Sequence, residues 1–250
     1  MRHRGGALAL LVLLVVAWEL AARAFALSAL VLPTPSAVAQ SLWKGLASGF
    51  FWPHLRATGA ELLVGLALGC AVGFLAGVLL AEVPALRRLA MPYVVVSQVV
   101  PKLALMPLFI VWFGFGMTSM VVITALICFF PLMENTMTGL ASVSPERIEL
   151  FRMLGASRAQ TLWRLKLPSG LPSVLAGLRI AVVLALVGAV VGEFIGAGQG
   201  LGALIIAAQG SMDTPLMFAV LVLISVLGLL LYHAAVLLER RLLRPYVQPS

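Results

Sequence analysis

Residues 57–81, "ATGAELLVGLALGCAVGFLAGVLLA", carry one charge, Glu61, in a run that would extend about 38 Å as a helix. The hydrocarbon layer of a bilayer is about 30 Å thick, so this run is long enough to cross it. Unpaired backbone groups are costly in lipid and the alternation of a barrel strand is absent, which leaves a helix as its form. Gly65, Gly69, Gly73 and Gly77 recur at every fourth position. One face of the helix is thereby stripped of side chains and can be approached closely by a second helix, within the chain or from another copy.

Working outward, runs of the same kind occupy residues 6–27, 91–113, 118–140, 171–195 and 216–238. The chain is therefore expected to be an all-α polytopic membrane protein with about six transmembrane helices. Composition agrees: of 250 residues, 62% are hydrophobic and only 10% charged, far from the balance of a soluble globular domain. The net charge of +8 needs no nucleic acid, because no basic face with interleaved aromatics occurs. Basic residues gather instead in alternate loops: Arg2 and Arg4; Arg87 and Arg88; Arg147, Arg152, Arg158, Arg164 and Lys166; Arg240, Arg241 and Arg244. Lys44 and Arg56 alone fall in the intervening loops, so the positive-inside rule puts both termini in the cytosol. Residues 1–56 form a first helix with an external interfacial segment, 57–238 a core of five helices interrupted by a cytoplasmic loop at 142–170, and 239–250 a cytoplasmic tail.

Within this plan several stretches depart from plain apolar helix. The basic start and apolar middle of residues 1–26 could pass for a secretory signal, but the run continues past Glu19 and Arg23, an i,i+4 pair able to neutralise itself, and is read as a retained helix. "LPTPSAVAQSLWKGLASGFFWPHL", 32–55, with Trp43, Phe50, Phe51 and Trp52, reads as a short helix at the outer interface. In "SQVVPKLALMP", 97–107, Pro101 and Pro107 bracket Lys102 and predict a kinked backbone. A lysine at that depth is either a structural partner for Glu61 or Glu193 or part of a polar route. Ser97, Gln98 and Lys102, with Glu193 near the outer mouth, are the candidate translocation path. Arg179 lies close enough to its helix start to snorkel, Cys70 and Cys128 read as packing residues, and 196–215 as an outer loop with a short helix.

The inner loop is parsed by capping chemistry. Ser144, Pro145 and Glu146 have the order of a helix start, Gly155 of a stop, and Ser157 with Gln160 of a capping box opening a second short helix that ends before "LPSGLP". Apolar residues interleave with Arg152, Arg158, Arg164 and Lys166, which suits a membrane-parallel linker or a docking knob for a cytosolic partner.

The order Glu149, five residues, Gly155, nine residues, Leu165, one residue, Leu167 and Pro168 resembles the EAA loop of ATP-binding cassette (ABC) importer permeases, E-A-A-x3-G-x9-I-x-L-P. Leu150 and Phe151 stand in place of the two alanines and Leu165 in place of the isoleucine; Ala156 follows the glycine. "LPTPSAVAQSLW", "PKLALMPLFIVWFGFG", "LPSGLPSVLAGLRIA" and "GEFIGAGQGLG" extend the likeness over nearly the whole chain, toward permeases for nitrate, taurine and aliphatic sulfonates, with a related branch for thiamine-precursor pyrimidines, riboflavin or aromatic acids. The resemblance implies a type I (MetI-like) permease fold in a bacterial cytoplasmic membrane and a loop that seats on an ATPase subunit. It also implies two permease copies, two ATPase subunits holding ATP and Mg, an external solute-binding protein, and no cofactor or metal on this chain.

The residues agree that ATP would be hydrolysed elsewhere: the only lysines are Lys44, Lys102 and Lys166, and none sits in a phosphate-binding loop. A secondary transporter or channel is the competing class, although no internal repeat is evident. An intramembrane enzyme has little support, since His3, His54 and His233 are far apart and no nucleophile or carboxylate pair clusters.

Overall fold

The computed structural model describes residues 2–25 and 28–244; the side chains of residues 2–5, 7 and 8, the end of the expected first span at 26–27 and the tail beyond Arg244 lie outside the described residues. The regular elements are helices: α1 (Arg2–Ala24), α2 (Pro35–Ala47), α3 (Trp52–Glu82), α4 (Pro84–Val99), α5 (Met106–Phe113), α6 (Met117–Ala141), α7 (Pro145–Met153), α8 (Arg158–Thr161), α9 (Leu167–Gly196), α10 (Leu201–Gly210) and α11 (Thr214–Leu243). Four stretches are long and apolar enough to cross a membrane: Trp52–Glu82, Met117–Ala141, Arg158–Gly196 and Thr214–Leu243. α1 adds a helix of 23 residues, about 34 Å long.

The span expected at 91–113 is corrected. α4 starts already at Pro84, the chain leaves helix after Val99, and a 3₁₀ turn at Lys102–Leu105 leads into α5 at an angle of 84°. Pro101 has no N–H to donate and disfavours helix at the residue before it; Val100 is extended, with φ −66° and ψ 125°. Pro107, by contrast, falls in the first turn of α5, where a missing N–H costs nothing.

Three helices form the core: α3 and α6 run parallel to one another and α9 antiparallel to both. Lipid tails are as apolar as leucine, so what holds such helices together is close packing rather than escape from water. The glycine face of α3 lies on α6. A Cβ built on Gly65 would sit 2.6 Å from Thr124 Cβ, one on Gly73 2.5 Å from the Phe129 carbonyl and one on Gly77 2.6 Å from that of Met133, while one on Gly69 would run into the Ala125 carbonyl. The seam is thus internal to the chain. On an adjoining face of α6, Gly139 and Gly170 bring α9 equally near, and the buried Cys128 thiol donates to the Ala181 carbonyl at 3.4 Å beside Cys70.

Loop contacts sort the ends of these helices. At one end Val38, Phe51, Leu201, Leu204 and Val220 form an apolar cluster joining α2, α10 and the start of α11. Thr214 Oγ1 donates there to the Leu30 carbonyl at 3.0 Å. Trp43 and Trp52 are exposed at this end as an interfacial helix requires, but Phe51, expected beside them, is fully buried against the bare backbone of Gly45. Glu19 accepts from Arg23 Nε at 2.7 Å and also from Ser36 N and Oγ at 3.0 and 2.9 Å, so the pair within α1 also ties α1 to α2. At the other end Lys166 Nζ meets Glu82 at 2.7 Å, and Arg179, rather than simply snorkelling, pairs with Glu239 at 3.1 Å.

Candidate functional site

The segment from Pro145 to Lys166 projects from the basic end of the bundle. Ser144 is extended, with φ −62° and ψ 142°, and Pro145 opens α7. The backbone N–H of Glu146 and, secondarily, the Ser144 hydroxyl hold the Glu146 carboxyl below its usual range. α7 closes in a Schellman motif: Ala156 N donates to the Phe151 carbonyl and Gly155 N to that of Arg152, both at 3.0 Å, with Gly155 at φ +76°. Ser157 and Gln160 then exchange the two bonds of a capping box, at 2.8 and 3.2 Å.

The second short helix expected to stop before Pro168 does not stop. α8 widens into a π turn, Leu162–Lys166, and continues as α9, so that Arg158–Gly196 forms one helix. The wider turn, in which Leu167 N donates to the Leu162 carbonyl, gives the Pro168 ring room against the preceding turn. Leu165 is buried in this bend, and Leu167 and Pro168 half-buried. Glu149, Leu150 and Gly155 face outward, with Phe151 and Ala156 half-covered. Leu150, Met153, Leu154 and Trp163 leave an apolar surface more than half exposed.

A second feature lies at the break after α4. A cavity of about 600 Å³ opens there between α4, α6 and α9, with Gln98, Lys102, Phe130, Glu134 and Asn135 around it and Leu184 on its α9 wall. Gln98 Nε2 donates to Glu134 Oε2 at 3.4 Å, and Lys102 Nζ stands 4.8 Å from the centre of the Phe130 ring. Among the described residues no carboxylate lies within ion-pair distance of Lys102, so it is not the structural partner of Glu61 or Glu193. Ser97 faces away, its hydroxyl bonded to the Val94 carbonyl at 2.7 Å, and lines a separate shallow groove with Tyr93 and Phe129.

Glu193 is not in this cavity either. Its side chain is 1% exposed and accepts from Thr58 Oγ1 at 2.6 Å and from Gly202 N, with Glu61 beside it. Thr58 Oγ1 accepts in turn from Leu201 N at 2.8 Å, and His54 Nδ1 from Gly200 N at 3.2 Å. The carboxylate thus knots α3, α9 and the entry to α10. Glu134, Asn135 and Phe130 are the cavity residues that sequence reasoning passed over. The signal for Glu134 was present, since a carboxylate inside the run 118–140 is as costly there as Lys102.

Comparison with known proteins joins these features. Residues 69–244 match the family described as "Binding-protein-dependent transport system inner membrane component". The chain is 40% identical over 234 residues to the riboflavin transport system permease protein RibX of Chloroflexus aurantiacus, covering 94% of this chain and 87% of that protein. It is 40% identical over 231 residues to the formylaminopyrimidine transport permease protein ThiX of Halalkalibacterium halodurans, covering 92% of each, and 32% identical over 238 residues to the taurine transport system permease protein TauC of Escherichia coli, covering 93% of this chain and 86% of that one. Among solved structures, an inward-facing MetNI methionine ABC transporter matches its fold with a TM-score of 0.67 at 23% identity, over 76% of this chain and 94% of that one. With its all-helical multi-pass architecture and a family match over most of its length, the chain belongs to the inner-membrane components of binding-protein-dependent transport systems and is an ABC importer permease.

Proposed function

We propose that this chain forms, as two copies with two ATPase subunits and an external binding protein, an importer for a small heteroaromatic solute of the pyrimidine or flavin kind. The observation that carries the coupling role is the unbroken helix Arg158–Gly196. Leu165, buried at its foot, and Leu184, on the cavity wall, lie about 28 Å apart on one rod. A displacement of residues 145–166 by an ATPase is therefore delivered to the cavity without a hinge. ATP and Mg bind the ATPase, whose closure drives the segment and opens the path outward; hydrolysis resets it. Both termini and the basic end face the cytosol, following the distribution of arginine.

Support for the solute class comes from the two relatives at 40% identity and from the cavity. The Phe130 face and the apolar wall suit a planar ring, and Gln98, Asn135 and Glu134 offer donors and acceptors to ring nitrogens and carbonyls. A sulfonate or taurine solute, the reading favoured by relatives at 32%, would find one cation, Lys102, offset by Glu134.

The test is a tagged purification from native membranes, followed by reconstitution with the co-purified ATPase and its binding protein. Recovery of an ATPase with the parent and its loss with Glu149→Ala, Gly155→Pro is expected, because proline can neither adopt φ +76° nor donate the bond to Arg152. Riboflavin or formylaminopyrimidine, with the matching binding protein, should stimulate ATP hydrolysis more than taurine does. Absence of any ATPase would return the chain to the secondary-transporter class; stimulation by taurine alone would refute the solute class.

A further inference from the structure

A recess of about 400 Å³ lies between the α3–α4 corner and the projecting segment, lined by Glu82, Pro84, Arg152, Arg158, Thr161 and Lys166. Lys166 is paired with Glu82 across it, and both side chains are largely covered. Arg152 and Arg158 are a different matter: among the described residues neither has a carboxylate partner or a side-chain hydrogen bond, although both line the same hollow. One side-chain anion against three cations leaves the recess two positive charges in excess. Two guanidinium groups without an acidic partner lining one hollow attract an anion, and the planar fork of arginine matches phosphate oxygens two at a time.

We propose that this recess binds a phosphate group, presented by an anionic phospholipid headgroup or as free phosphate. The place favours the lipid. The corner between α3 and α4 is where a membrane-crossing helix ends, Pro84 gives the recess an apolar edge, and Arg87 and Arg88 follow within the first five residues of α4, so the surrounding surface attracts an anionic leaflet. A phosphate clamped by Arg152 of α7 and Arg158 of α8 would bind both arms of the projecting segment to the end of α3. The backbone hydrogen bonds between the arms lie at the turn around Gly155. Bound lipid would thus hold the angle at which the segment is offered to its partner.

The test uses the full chain purified in neutral detergent, with native mass spectrometry counting retained phosphatidylglycerol against phosphatidylcholine. Inorganic phosphate is titrated separately with thermal stability as the readout. The parent is expected to retain phosphatidylglycerol selectively, and Arg152→Gln, Arg158→Gln to weaken retention about tenfold or more. Arg240→Gln, Arg241→Gln removes the same charge from the end of α11 and is expected to leave retention unchanged. Stabilisation by inorganic phosphate that is lost in the recess variant, with no lipid selectivity, would assign the site to the free ion and still support a phosphate site. Equal losses in both double variants would mean general surface charge and overturn the proposal. So would parent protein indifferent to both probes while the recess variant alone loses its ATPase, since the arginines would then serve protein docking.

Discussion

The internal seam between α3 and α6 makes the sharpest demand on the structure, and Gly73→Ala tests it. A Cβ there would lie 2.5 Å from the Phe129 carbonyl oxygen, whereas carbon and oxygen approach comfortably only to about 3.3–3.6 Å. Two rigid helices must part locally by about 0.8–1 Å, and a gap of that size forfeits a quarter to a half of the dispersion energy of the atoms facing it. Overpacking of this kind costs about 1–3 kcal/mol. Alanine's better helix propensity offsets about 1 kcal/mol of that, leaving a net loss of up to about 2 kcal/mol. Gly59→Ala, on the same helix, supplies the control: nothing lies within 4 Å of its would-be Cβ, so it should gain up to about 1 kcal/mol. The two substitutions, chemically identical and four turns apart, should therefore separate by about 2 kcal/mol. Unfolding of the purified chain by SDS in mixed micelles, followed by circular dichroism, reads the difference. Equal midpoints for Gly73→Ala and Gly59→Ala would refute the reasoning, as the glycine face would then not be in contact with backbone.

Gly155→Ala keeps the bond donors of the Schellman turn but forces a Cβ into left-handed backbone, at a cost of about 1–2 kcal/mol, and should lower ATPase recovery in the pull-down without altering expression. Glu193→Ala leaves Thr58 Oγ1 and Gly202 N–H unanswered in a dry site, about 1–3 kcal/mol for each group, while Glu193→Gln retains an acceptor and should lose less; thermal unfolding of the two variants ranks them. Glu82→Lys or Lys166→Glu alone should weaken the attachment of α9's foot to α3, and the exchanged pair should recover most of the loss, measured as ATP hydrolysis coupled to solute uptake in proteoliposomes. Lys102→Met should assemble normally yet change uptake rate or solute preference; unchanged uptake across all tested solutes would remove Lys102 from the path.

Much of this protein is legible before any coordinates. The membrane class follows from the length of apolar runs, because a bilayer imposes one length and one hydrogen-bonding solution on whatever crosses it. α6 and α11 fall within a few residues of their expected starts, and the turn at Gly155 and the capping box at Ser157 are local chemistry, in which a residue's partners lie three to six positions away. Periodic glycine likewise announces that α3 is closely approached.

Tertiary structure alone decided the rest, because it concerns partners distant in the chain. Which helix fills the glycine face, that Glu193 answers Thr58 and Gly202 instead of Lys102, and that Lys166 reaches Glu82 are not written in any spacing. The sharp break after α4 shows the boundary between the two. Pro101 predicts that the ladder is interrupted, but the 84° between the two pieces is set by what they pack on. Conversely Pro168 reads as a stop, yet a π turn carries the helix through it and turns an expected linker into the foot of a transmembrane rod. A local rule states what a residue cannot do; only the packed neighbours determine which of the remaining conformations is taken.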